Sequence, residues 1–366
     1  MGRRARSDLV AAVRDDLAAA RGAARAVLAA AESARAQAHR RHRLVLDAYA
    51  TCLAQLAGAR DAARLDILRR FHHESAALSG SVQSLAATCA AGAAGAAWRS
   101  WGPTEPERGH QPGLLRIGMI TYQPAAPPGQ RAPGPSAALP ALVPLLDQAH
   151  LQLDGEPGPV DAMVAGLLLR ALGSTRPGDI RLSIFDPGHL GRTFAAFAPL
   201  ARAGLLTGVG PGGLGALLDD LAEHIRRINE TVLAGEFGSL TEAAAAAAGR
   251  RPEPWRIAVL LVDAATSAAL DAGQRAQLDR VARTGVACGV HLVVRGLTLP
   301  EHPDVERIAV RGAMATCDTT GELPVRLDAA PPAARVSAFC RDIAQRLAIG
   351  PIIPYRRVAF HDEVEP

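Results

Sequence analysis

The sequence contains no lysine: all 40 of its basic side chains are arginine, against 36 acidic ones in 366 residues. That absence excludes Schiff-base chemistry, a lysine general base and a lysine reaching the β/γ-phosphates of a nucleotide. A GC-rich genome accounts for the bias towards Arg, Ala, Gly and Pro, and the exclusion holds whatever its origin. Aromatic residues are scarce, at 4%, so a core has to be built from aliphatic side chains, for which a hydrophobic share of 49% is ample. The five cysteines (Cys52, Cys89, Cys288, Cys317 and Cys340) are odd in number and form no CxxC pair. They argue against a disulfide framework or a thiolate metal site and suit a reducing, cytoplasmic setting. No apolar run of signal-peptide length follows the basic residues 1–8, and Ala86–Trp98 is too short and too rich in alanine to span a bilayer. No transmembrane segment is expected.

Proline is also missing before Pro103, and the charge is uneven. Residues 1–100 hold 15 Arg against 8 acidic residues, whereas the remaining residues hold 25 against 28. The first hundred residues are dominated by good helix formers. Leu9, Val13, Leu17, Ala20, Ala24, Val27 and Leu28 recur at helical steps. A second periodic stretch runs from Leu44 to Leu68 with a break expected at Gly58, and a third from Leu78 to Leu85. This predicts an all-helical hairpin or bundle over 1–100, basic and capable of self-association through a coiled-coil seam. No strict heptad persists, so a long parallel coiled coil is not expected. A solvated basic face is the ordinary reading of the charge; contact with DNA or an acidic partner is the functional one.

Residues 101–144 read as a Pro/Gly-rich linker with one short strand at Leu115–Tyr122. From 145 to 350 continuous Val/Ile/Leu strands alternate with helices: His150–Leu153, Ile180–Phe185, Ile257–Val262 and Val290–Val294 are strands, with helices at Val160–Leu172, Leu214–Leu233, Ala268–Thr284 and Pro331–Leu347. Ile308–Val310 and Val325–Leu327 are expected as edge strands. This is the pattern of a parallel sheet covered on both faces. Residues 351–366 form a tail.

Three pieces in order carry a resemblance: AHLQLDGEPGPVDAM, DIRLSIFDP, and PEPWRIAVLLVDAATS followed by RTGVACGVHLVVRG. Together with the helix LLDDLAEHIRRINETVLA they resemble the motor core of FtsK/SpoIIIE-type P-loop ATPases over about 145–350. The resemblance implies an α/β, RecA-like P-loop core with a mainly parallel sheet, here following the helical N-terminal region. By resemblance alone it also implies a site for Mg·ATP.

The departures from that pattern are chemical. A phosphate loop reads GxxxxGK[ST], with backbone N–H groups cradling phosphate, Lys on the β/γ-phosphates and a hydroxyl on Mg²⁺. Aligned without gaps, Gly155 keeps the first glycine and Gly158 lies inside the loop. The second glycine is Val160, the lysine is Asp161 and the hydroxyl is Ala162. Pro157 and Pro159 remove two N–H donors. Replacing a cation by an anion about 4 Å from a phosphate turns attraction into repulsion, each on the order of 4 kcal/mol at an effective dielectric of 20. An ordinary capped helix start explains the segment as well: Gly158 as N-cap, Pro159 as the first helical residue and Asp161 third, facing the unpaired N–H groups. At the Walker B counterpart Asp263 remains, but the following catalytic Glu is Ala264.

Elsewhere, Gly208–Gly213 satisfies GxGxxG yet reads as a flexible loop, and His72 and His73 as a solvated face. His291 and Cys288 read as core. His189 and Arg192, just past a strand end, are the one candidate anion pocket. The sequence therefore predicts a catalytically degenerate FtsK/SpoIIIE-like module, regulatory or scaffolding in a DNA or protein translocase. It carries no catalytic residue and no metal site, and no cofactor is expected. Its partner would be an intact FtsK/SpoIIIE-like motor domain or chain. The alternatives are an active ATP-driven motor and a DNA-binding protein using the Arg-rich helices.

Overall fold

The computed structural model describes residues 2–104, 113–122, 137–189 and 192–348. The tail expected at 351–366 and two stretches of the expected linker lie outside the described residues. The chain divides into two compact units, Met1–Ala77 and Leu78–Pro366.

The N-terminal region is helical, as expected, but it is one helix rather than a hairpin or bundle: α1 runs Arg3–Cys89. Gly58 does not break it. One glycine costs a helix interior about 1 kcal/mol relative to alanine, and the alanines, leucines and arginines on both sides outweigh that. No residue between 2 and 77 is buried in the described structure. Among the described residues no helix is long and apolar enough to cross a membrane.

The second unit is built on one ten-stranded sheet. Its strands are β1 (Leu114–Tyr122), β2 (Ala137–Pro144), β3 (His150–Asp154), β4 (Ile180–Phe185), β5 (Leu206–Val209), β6 (Trp255–Leu261), β7 (Val290–Arg295), β8 (Val305–Arg311), β9 (Met314–Cys317) and β10 (Gly321–Leu327). Across the sheet they lie in the order β2-β1-β10-β9-β8-β3-β7-β6-β4-β5. From β8 to β5 every pairing is parallel; from β8 back to β2 every pairing is antiparallel.

The α/β class and mainly parallel sheet expected from the sequence are present. Two elements differ. The 101–144 segment supplies two strands, β1 and β2, and β8 and β10 lie inside the sheet rather than at its edges.

Alternation along the strands feeds two cores, because successive side chains point to opposite faces. On β6, Ile257, Val259 and Leu261 face one cluster, shared with helix α2 (Pro157–Gly173) and helix α7 (Ala333–Ala348). Ala258, Leu260 and Val262 face the other, shared with α3 (Leu214–Arg227) and α6 (Ala272–Thr284). Two short helices, α4 (Leu240–Ala246) and α5 (Ala264–Ala269), complete the set.

The residues after α1 are locked to α2. Trp98 lies over the guanidinium of Arg170 at 4.1 Å, and Trp101 packs edge-on against Phe339 at 5.4 Å. Arg170, fully buried, is held by Asp328 at 2.8 Å and by the Ala96 carbonyl at 2.5 Å. Burial pulls its pKa down to about 10, with Asp328 opposing, so it stays charged at neutral pH.

Candidate functional site

In an open α/β sheet ligands bind beyond the carboxyl ends of the strands, where neighbouring connections depart in opposite directions. Here that point lies between β3 and β7. β3 leads through α2 towards β4 on one side, and β7 crosses back over β3 to β8 on the other.

The loop after β3 opens with Gly155 at φ +152°, where an added Cβ would stand 2.5 Å from the Val310 carbonyl oxygen. Glycine is required there by the neighbouring strand. α2 starts earlier than the sequence suggests. Glu156 is its N-cap, without a side-chain cap bond, and Pro157 takes the first helical position that its fixed φ favours. Gly158 is thus the second helical residue and not the cap, and a Cβ added there would meet nothing within 4 Å. Of the first three helical residues only Gly158 carries an N–H, since the other two are prolines.

Asp161 is the fifth helical residue, beyond the turn with unpaired N–H groups. Its carboxylate instead pairs with Arg295 at the end of β7, Nη1 to Oδ1 2.9 Å, and both side chains are largely buried. Burial raises the Asp161 pKa; Arg295 opposes that shift, Asp186 adds to it and His189 opposes it. Those last two residues form the neighbouring group. Asp186, buried just past β4, accepts from the Thr193 hydroxyl at 2.7 Å and lies 3.3 Å from His189 Nδ1.

The candidate anion pocket therefore takes another form. His189 faces a carboxylate of the protein itself, and Arg192 is exposed at the start of a 3-10 segment, Arg192–Ala203. A cavity of about 440 Å³ nearby is lined by Ile184, Phe194, Ala198, Leu206 and Gly210, among others, without His189 or Arg192. Ala162 offers no polar atom. Asp263 is the N-cap of α5: its Oδ1 accepts from the Thr266 N–H at 2.7 Å, and that bond holds its pKa below the usual value. Among the described residues no cluster of three or more His, Cys, Asp or Glu could hold a metal ion.

The sequence thus locates the crevice but not its contents. Arg295, Asp186 and Thr193 belong to no motif, although Asp186 and Arg295 both stand at strand ends, where charged residues after an apolar run are visible. A phosphate placed here would meet the Asp161 carboxylate where a nucleotide grip presents an ammonium, with one N–H donor in the first three helical positions.

His291 lies in the core, as expected, and has a histidine neighbour there. It donates from Nδ1 to the Ala149 carbonyl at 3.0 Å and accepts at Nε2 from the Asp147 N–H at 3.0 Å. The neighbour, His150 on β3, accepts from the Leu292 N–H at 2.9 Å. Cys288 is buried too, with its thiol pushed up to about 11 by burial.

No family model matches the chain, and no curated protein matches it. Solved structures do. ATPases 2 and 3 of EssC from Geobacillus thermodenitrificans are 14% identical, with a TM-score of 0.47, over 68% of this chain and 51% of that one. The cytoplasmic domain of the type VII secretion ATPase EccC from Thermomonospora curvata is 16% identical, with a TM-score of 0.47, over 66% and 32%. The pCW3 conjugation coupling protein TcpA, with ATPγS, is 12% identical, with a TM-score of 0.45, over 66% and 71%. The match spans about half of the first structure and about a third of the second.

Proposed function

We propose that the chain is a catalytically degenerate FtsK/SpoIIIE-like module that works by binding, as a regulatory or scaffolding part of a DNA or protein translocase. The observation that carries this reading is the Asp161–Arg295 pair at 2.9 Å. It puts a carboxylate of the protein at the position where the family's motif has its phosphate-binding lysine. Arg295 is the neighbouring cation, and Asp161 already neutralises it. Ala162 and Ala264 supply neither a magnesium-binding hydroxyl nor a catalytic carboxylate, and the Asp263 carboxylate is used as a helix cap. An intact FtsK/SpoIIIE-like motor, in a separate chain or domain, is the partner this reading requires. Five free thiols fit a cytoplasmic location.

Calorimetric titration with Mg·ATP, alongside phosphate release with and without DNA, tests the reading. The expected result is no saturable heat and no turnover. Saturable binding, or turnover abolished by Asp263→Ala, would establish the active motor instead.

One observation favours a second activity. The arginines from Arg4 to Arg43 on α1 make no ion pair among the described residues, whereas Arg60 and Arg70 further along do. An unpaired basic helix suits the phosphate backbone of DNA. Such binding would fall steeply between about 50 and 200 mM salt, and salt-independent binding would exclude it.

A further inference from the structure

The least satisfied surface of the protein is the apolar side of α1. At 3.6 residues per turn, the large apolar residues from Leu9 to Phe71 fall mostly within one arc of about 100°. Leu17, Val27, Leu46, Tyr49, Leu53 and Phe71 on that arc are 49%, 68%, 50%, 63%, 48% and 37% exposed. A helix owes most of its stability to packing of such a face. A seam over residues 20–71 would extend roughly 75 Å and cover roughly 800 Å² per copy, the size of a standard stable interface.

We infer that this face pairs with α1 of a second copy, antiparallel, with the two-fold axis passing between Val45 and Leu46. Size complementarity fixes the occupant. The arc is small in its first part and bulky in its second, so the helix matches its own reverse. With the axis at that point Ala20 opposes Phe71 of the second copy, Ala24 opposes Ile67, Leu28 opposes Ala63 and Ala38 opposes Leu53. Each contact joins a small side chain to a large one, the arrangement that lets facing layers interdigitate.

Charge fixes the orientation. Arg35, His42 and Arg60 interrupt the arc. In a parallel, in-register pair each would meet its own copy inside the seam, and the run Arg40, Arg41, Arg43 would lie beside itself. Buried like charges are strongly unfavourable, and polar residues at seam positions set register and direction. In the antiparallel pair Arg35 opposes Leu56, His42 opposes Tyr49, and Arg60 comes beside Glu32. The basic run lies against residues 48–51, which are uncharged. The interface is isologous and closes at two copies.

The exposed Cys52 reports the direction. In a parallel pair the two Cys52 thiols are neighbours. In the antiparallel pair each lies opposite residue 39 of the other copy, so the two are about 20 Å apart along the axis. Arg41 is on the same flank of the seam, close to that position.

The experiment uses the full chain in a Cys89→Ser background. Light scattering should give twice the chain mass. A short bismaleimide should cross-link Arg41→Cys through Cys52 of the second copy and leave the unsubstituted background largely uncross-linked. Leu53→Asp should shift the mass to that of one chain and reduce far-ultraviolet helical signal, with the near-ultraviolet tryptophan signal retained. A monomer at tens of micromolar overturns the inference, and so does efficient Cys52–Cys52 cross-linking. Neither result bears on nucleotide binding, so this inference and the functional reading fail separately.

Discussion

Asp161 shows how one side chain is understood only through its distant partner. Its place in the phosphate loop is legible, because a motif position is a matter of spacing. Its role is not, because Arg295 is 134 residues away in the chain. Removing the carboxylate leaves a largely buried guanidinium unpaired. Asp161→Ala should therefore lower stability by about 1–3 kcal/mol, the usual cost of orphaning a buried polar group. The same substitution removes the repulsion at the crevice without supplying a lysine, so Mg·ATP should still fail to stabilise the variant in a thermal shift assay.

Asp328 is more severe, since it serves both Arg116 at 2.8 Å and the fully buried Arg170 at 2.8 Å. Asp328→Ala should cost about 3–5 kcal/mol, read from urea midpoints. A loss below about 1 kcal/mol would mean that the backbone carbonyls of Ala93 and Ala96 suffice to hold Arg170.

Elements are legible where periodicity is strong and obscure where tertiary context overrides a local signal. The parallel strands β3, β4, β6 and β7 are continuous apolar runs, and each is visible in the sequence close to its observed bounds. β2 reads as linker because it contains Pro140 and Pro144. It is the edge strand of the sheet, the position where a missing N–H is tolerated. α2 begins three residues before the expected start because Pro157, not Pro159, takes its first turn.

Two glycines of α2 offer a contrast in one helix. An alanine at Gly173 would bring its Cβ within 2.6 Å of the Trp101 ring, whereas at Gly158 it would meet nothing. Gly173→Ala should destabilise by about 1–3 kcal/mol through overpacking. Gly158→Ala should be neutral or stabilising by up to about 1 kcal/mol through helix propensity. Thermal unfolding followed by tryptophan emission compares the two directly, and equal effects would mean that Trp101 does not lie against α2.

At the scale of the whole molecule, the stability of the second unit depends on keeping three histidines neutral. Burial lowers the pKa of His150 to about 3 and of His291 and His224 to about 4. Hydrogen bonding explains why His291 resists protonation, since its Nε2 already accepts from an N–H and a proton there would face another donor. The unfolded chain takes up these protons as pH falls below about 6.5, and the folded chain does not until about 4. The unfolded state thus binds more protons across this window, so stability is full above about pH 6.5 and is lost as pH falls. Two units below the ordinary value, each histidine accounts for on the order of 2–3 kcal/mol. Domains are stable by only about 5–15 kcal/mol, so three such groups are enough to unfold this one.

Asp161 and Asp179, whose pKa values burial raises, act in the opposite direction, but only near the carboxylate range. They cannot offset a loss that begins above pH 6. The urea midpoint should therefore decline from about pH 6.5 downward, with unfolding between about pH 4 and 5 without denaturant. His291→Gln, which keeps a donor and an acceptor in the same site, should flatten that decline by about one proton even if its stability at pH 7 is lower. A midpoint unchanged between pH 7 and 5 would show that these imidazoles already carry their protons in the folded chain.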